Sequence, residues 1–154
     1  MKMVSVDVNQ LSGSALNWAV AMCQGYRDLD IWHTGAITSR ADNGLTTTHC
    51  YDSSLMGLRI VEQAGIATRR HSQSGTWYAM SQADIGDGTS PSWAEFTARG
   101  GERYGVYSYQ VHKRRQRFDG ETMLEAAMRC YVASKMGSSI EVPAETLAFA
   151  AGQN

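Results

Sequence analysis

The chain has 154 residues, 43% of them hydrophobic and 19% charged, which is the balance of a folded domain and too apolar for a disordered one. Fourteen basic residues against 15 acidic ones leave a formal charge of -1, which excludes a globally basic nucleic-acid binder and an acidic solvating tail. No apolar run approaches the roughly 20 residues that a membrane-spanning helix needs.

Val4, Val6 and Val8 alternate with Ser5 and Asp7 and predict a short half-buried strand. A helix is expected to open near Ser12 or Ser14 as N-cap and to carry Leu16, Ala19, Val20 and Cys23 at helical spacing, with Gly25 ending it. Leu29, Ile31 and Ile37 fall where short strands fit, and Asp42-Asn43-Gly44 signals a turn. A short helix is expected over 54–63, capped by Asp52 or Ser53 and stopped by Gly65, with Gly57 weakening it. The segments 66–70 and 76–80 predict a hairpin with its loop at 71–75.

Residues 84–91 have loop chemistry, and Pro91 predicts a single helical turn over 93–98, broken by Gly100-Gly101. A strand is expected over 106–112, with Tyr107, Tyr109 and Val111 on one face. The last large element is a helix over 120–136, capped by Asp119 and closed by Gly137. Residues 139–142 predict a short strand, Pro143 a short final helix, and 151–154 a frayed tail. The expected fold class is α+β: one domain over 1–154, two main helices flanking a small, mostly antiparallel sheet, with a loop-rich segment at 82–118.

Cys23, Cys50 and Cys130 are odd in number and lack C-x-x-C spacing, as expected of structural thiols in a reducing compartment. The N-terminus shows no signal-peptide apolar region, so the protein is expected to stay where it is made. His33, His49, His71 and His112 stand at neither metal-ligand nor triad spacing. Adjacency of His49 and Cys50 on a strand would point them to opposite faces, which disfavours a catalytic pair. Asp84 to Gly88 lacks the alternating oxygens and closing glutamate of a calcium loop. The expectation is therefore no catalytic residue, no metal and no cofactor.

Charge distribution carries more information. Residues 99–117 hold six basic side chains against Glu102 alone, interleaved with Tyr104, Tyr107 and Tyr109, while the rest of the chain is net acidic. Arginine forks bind phosphate and aromatic faces stack on bases. One expectation is a site for a phosphate-bearing ligand, with Arg114, Arg115 and Arg117 on phosphate, Tyr107 or Tyr109 stacking, and Arg69 adding to the patch. The alternatives are a solvated basic hairpin, or a patch that pairs with acidic surface in an oligomer or on an acidic partner.

Two segments carry a resemblance. Leu11-Ser12-Gly13-Ser14-Ala15-Leu16-Asn17-Trp18-Ala19-Val20-Ala21-Met22-Cys23-Gln24-Gly25-Tyr26 and Leu124-Glu125-Ala126-Ala127-Met128-Arg129-Cys130-Tyr131-Val132-Ala133-Ser134-Lys135-Met136-Gly137, followed by Ile140-Glu141-Val142-Pro143, resemble the NinX-like family of small tailed-phage and prophage proteins. Trp77-Tyr78-Ala79 is similar to that family's following strand, the middle of the chain is less similar, and 82–118 resembles an insertion relative to typical members. The resemblance implies a phage origin and action in the cytoplasm of the infected bacterium, and it supplies no catalytic residues. Together with the basic, aromatic segment it leads to the expectation of a non-catalytic accessory protein that acts by binding, as a sponge for a nucleotide-derived antiviral defence signal. A protein-binding inhibitor of a host enzyme and a small nucleotide hydrolase or nuclease are the alternatives. The expected partners are an anionic small molecule or an acidic host protein, and no membrane; a homo-oligomer is compatible with the broad apolar helix face.

Overall fold

The computed structural model describes residues 1–81, 92–97, 103–108 and 117–149, with the backbone alone at 81, 92–97 and 103–108. Helix α1 (Gly13–Cys23) lies at the centre, and every residue from Gly13 to Ala21 is buried. The helix has no solvent face along this stretch, so its neighbours enclose it and its polar Ser14 and Asn17 find partners inside. Helix α2 (Leu55–Ala64) is amphipathic and buries Gly57 and Ile60. Helix α3 (Met123–Met136) packs on α1 and α2 and buries Ala126, Ala127, Met128, Cys130, Tyr131 and Val132.

All strand pairings among the described residues are antiparallel. Strands β1 (Met3–Asp7) and β10 (Ser139–Pro143) pair with Val4 opposite Val142, joining the two ends of the fold beside α1. Strands β2 (Leu29–Ile31), β3 (Ile37–Arg40) and β4 (Thr46–His49) form a meander. Strands β5 (Ile66–Arg70), β6 (Trp77–Ser81) and β9 (Phe118–Gly120) form a second three-stranded sheet, whose Ile66, Ala79 and Phe118 are buried beneath α3. Strands β7 (Ser92–Thr97) and β8 (Arg103–Ser108) make a separate ribbon. The fold class is α+β, as expected, with the strands divided among small sheets and a third helix beside the two main ones.

Several boundaries differ from expectation, each for a physical reason. The N-cap of α2 is Ser54, whose hydroxyl accepts the Met56 N–H; Asp52 is not free to cap, because its carboxylate receives Asn17. The N-cap of α3 is Thr122, which accepts the Glu125 N–H, while Asp119 sits in β9 opposite Tyr78. Residues 93–98 were expected to make a helical turn, yet Ser92–Thr97 is a strand. Pairing with β8 and the alternation of Trp93, Glu95 and Thr97 with Ala94 and Phe96 outweigh the helix-start preference after a proline. The strand expected over 106–112 begins earlier, at Arg103, and 109–112 lie outside the described residues. The loop at 84–91, the glycine pair at 100–101 and the tail at 151–154 also lie outside them. Gly25, Gly65 and Gly137 end the three helices with φ of 94°, 64° and 91°.

Candidate functional site

Two surfaces gather chemically active side chains. The first is the outer face of the β5–β6–β9 sheet. Ala79 and Phe118 face the core, so the alternation of side chains turns Tyr78 and Asp119 outward. The register sets Arg69 opposite Tyr78, and Tyr78 opposite Asp119, in one row across three strands. The Arg117 guanidinium carbon lies 5.1 Å from the centroid of the Tyr78 ring, and Arg117 Nε is 3.2 Å from Asp119 Oδ1. His71, at the start of the hairpin loop, packs against Tyr78 with the ring centroids 4.9 Å apart and the planes tilted by 54°, and places Nε2 3.5 Å from the same carboxylate oxygen. An exposed ion pair of this kind contributes only about 0–1 kcal/mol. Its effect is orientation, since Asp119 holds the Arg117 fork over the ring.

Of the residues expected to bind an anion, Arg69 and Arg117 are therefore brought to one sheet face, around Tyr78. Arg114, Arg115 and Tyr109 lie outside the described residues, and Tyr107 is described as a backbone position in β8, opposite Trp93. Tyr78 was not singled out from the sequence. The signal available was its alternation with Trp77 and Ala79, which puts it on the exposed side of a strand that begins with a core residue.

The second surface is a cleft of about 410 Å³ at the start of α1, bounded by Ser14 and Asn17, the β2–β3 turn, the end of β4, the start of α3, and Phe149. Its walls are fixed by buried, satisfied polar groups. Ser14 Oγ donates to the Gly35 carbonyl. Gly35 has a φ of 83°, and a side chain there would place its Cβ 2.5 Å from Phe149 Cγ, so only glycine lets that ring close over the turn. Asn17 Oδ1 accepts the N–H of Tyr51 at 2.7 Å and that of Asp52 at 3.2 Å, and its Nδ2 donates to Asp52 Oδ1 at 3.1 Å. Glu125, also buried, receives Arg129 at 3.3 Å and the Glu121 N–H.

His49 closes one side of the cleft. Its Nε2 is 2.8 Å from Ser39 Oγ and its Nδ1 2.9 Å from the Tyr51 hydroxyl. Burial pushes its pKa below the ordinary 6.5, so the ring stays neutral, and burial pushes the Tyr51 phenol well above its usual range. Both ring nitrogens are thus occupied by neutral partners, and Ser39 does not line the cleft. Cys50, one residue past the end of β4, lies within reach of Asp52 and Ser53; it lines the same cleft as His49 rather than an opposite face of the strand. The residues that line the cleft include two carboxylates and no lysine or arginine, so this cavity does not suit a phosphate.

Among the described residues no group of three or more His, Cys, Asp or Glu side chains is placed to hold a metal ion, and no helix is long and apolar enough to cross a membrane. Burial raises the Cys23 thiol to about 11, partly offset by Lys135, which leaves it a packing residue at neutral pH. The model of the family described as Bacteriophage P22, NinX matches residues 7–135, a span that runs from β1 through the middle of the chain into α3. No curated protein matches the chain.

Proposed function

The chain belongs to the phage P22 NinX family, and on that premise we propose that it acts in the cytoplasm of the infected bacterium by binding, sequestering a nucleotide-derived signal of antiviral defence. The observation that carries this reading is the Arg117–Tyr78 stack, with Arg69 across the strand from the same ring. A base or a cyclic nucleotide presents a flat π-face and an anionic phosphate, and an aromatic ring beside guanidinium forks matches both. His71 packs on the loop side of the ring, with its Nε2 turned to Asp119.

Sequestration needs no turnover, only a surface that holds the ligand while the phage grows. Arg114 and Arg115, close to Arg117 in sequence, would add phosphate contacts, and Tyr107 or Tyr109 would add stacking. Native mass spectrometry of protein purified from phage-infected cells tests this. A retained mass of nucleotide size supports sequestration. A stoichiometric protein partner with no small ligand would favour the inhibitor alternative instead.

A further inference from the structure

An exposed indole follows the end of strand β2. Trp32 is 53% exposed, yet its ring is fixed: Nε1 donates to Thr38 Oγ1 at 3.0 Å, and Thr38 is itself buried. Its backbone is pinned too, by Trp32 N–H to the Ala36 carbonyl at 2.9 Å and Gly35 N–H to the Trp32 carbonyl at 2.8 Å. Asp30 stands opposite Thr38 in the β2–β3 register, so the carboxylate and the indole share one face of the hairpin. Glu145, in the short 3-10 turn Ala144–Ala148, lines the same hollow of about 340 Å³, with Ile31 and Phe149 as its apolar wall.

Neither Asp30 nor Glu145 makes an ion pair among the described residues; Met1, with its terminal ammonium, and His33 also line the hollow, and no lysine or arginine side chain does. A tryptophan face attracts cations through its quadrupole, and carboxylates beside it add charge. Methylene stems pack on apolar walls while their charged heads stay near water.

We propose that this hollow receives the side-chain cation of a lysine or arginine carried on an exposed basic segment of a partner protein. Charge complementarity selects that occupant: an anionic ligand would meet two carboxylates against the single terminal ammonium of Met1, and a purely apolar one would leave the carboxylates facing it. The site lies on the β2–β3 hairpin and involves none of the residues of the Tyr78 face, so it stands or falls separately from nucleotide capture.

Calorimetry with an end-blocked tetralysine peptide, a tetraglutamate peptide and free spermidine tests it. Tetralysine is expected to bind and tetraglutamate to give no heat. Spermidine, which has the charge without the peptide, is expected to bind several-fold more weakly. Trp32→Ala is expected to weaken tetralysine about tenfold and Trp32→Phe only about threefold, because a smaller ring keeps part of the cation attraction. Glu145→Gln, on an exposed turn that leaves the Trp32 anchor intact, is expected to weaken it about threefold with an unchanged unfolding midpoint. Absence of tetralysine binding, or binding that survives Trp32→Ala and Glu145→Gln unchanged, would overturn the proposal. Spermidine binding as tight as the peptide would overturn the assignment to a protein partner. Nucleotide binding by the Trp32→Ala protein should be unaltered, which separates failure here from failure of the sheet-face reading.

Discussion

Arg117 lies over the ring of Tyr78 because Asp119, next in the row across the sheet, holds its Nε at 3.2 Å. The carboxylate both orients the guanidinium and spends part of its charge. Removing that charge should favour an anion. The Asp119→Asn protein is expected to bind inorganic pyrophosphate about two- to fivefold more tightly than the unaltered chain at low salt, with the gain fading as salt rises. Weaker binding would mean that orientation outweighs charge. Paired calorimetric titrations at two salt concentrations give the answer.

Asn17 joins the central helix to the start of α2 by accepting two backbone N–H groups and donating to Asp52. Truncation would leave both donors without a partner in a buried place, at a cost of about 1–3 kcal/mol each when water cannot reach them. Asn17→Ala is expected to lose about 2–5 kcal/mol in urea unfolding, and Asn17→Asp is expected to be no milder, because it keeps the acceptor but turns a second carboxylate oxygen toward Asp52 where Nδ2 had donated at 3.1 Å. A loss below about 1 kcal/mol would show that water replaces the side chain freely.

Gly57 gives an opposite sign from the one its position in a helix implies. Replacing a mid-helix glycine by alanine gains up to about 1 kcal/mol from propensity. Here an added Cβ would stand 1.9 Å from the Tyr51 carbonyl oxygen, which belongs to rigid backbone. Gly57→Ala is therefore expected to destabilise by about 1–3 kcal/mol despite the better helix former. Thermal unfolding of the two proteins side by side decides the sign.

Elements whose pattern is dictated by burial were legible in the sequence: α1 and α3 from helical periodicity, the β5–β6 hairpin from alternation around a polar loop, and β1 from its spaced valines. Elements that depend on a distant partner were not. Thr46–His49 offers only His49 to the core, so its alternation has no apolar face to detect. Phe118–Gly120 becomes a strand by pairing with β6, which local chemistry does not announce. The start of α3 carried a better signal than Asp119: Thr122 followed three residues later by Glu125 is the spacing of a capping box. Of the candidate site, Arg69 and Arg117 were found because arginines stand out in composition. Tyr78 and Asp119 were missed because their role arises from register across three strands. Asn17, a polar residue amid the apolar positions of α1, was the available sign that the helix serves a polar structure beside it.

His49 gives the chain a defined response to acid. Burial holds its folded pKa below the ordinary 6.5, so the unfolded chain takes up the proton first. Its contribution to stability is complete above pH 6.5 and is lost as pH falls through the lower folded value. Urea midpoints measured from pH 8 to pH 5 should fall on the acid side, and the fall should be shallower in His49→Gln, whatever that protein's stability at pH 8. An equal slope in both proteins would assign the acid response to other groups.

The central claim is that an aromatic ring flanked by arginines on the β5–β6–β9 face holds a nucleotide-derived anion. Isothermal titration of the protein with a panel of cyclic dinucleotides, cyclic mononucleotides and ADP-ribose-type nucleotides tests it most directly. The expected result is saturable binding of at least one member, lost in Tyr78→Ala and in Arg117→Ala while both proteins keep their fold. Absence of heat with every member, or binding untouched by either substitution, would contradict it.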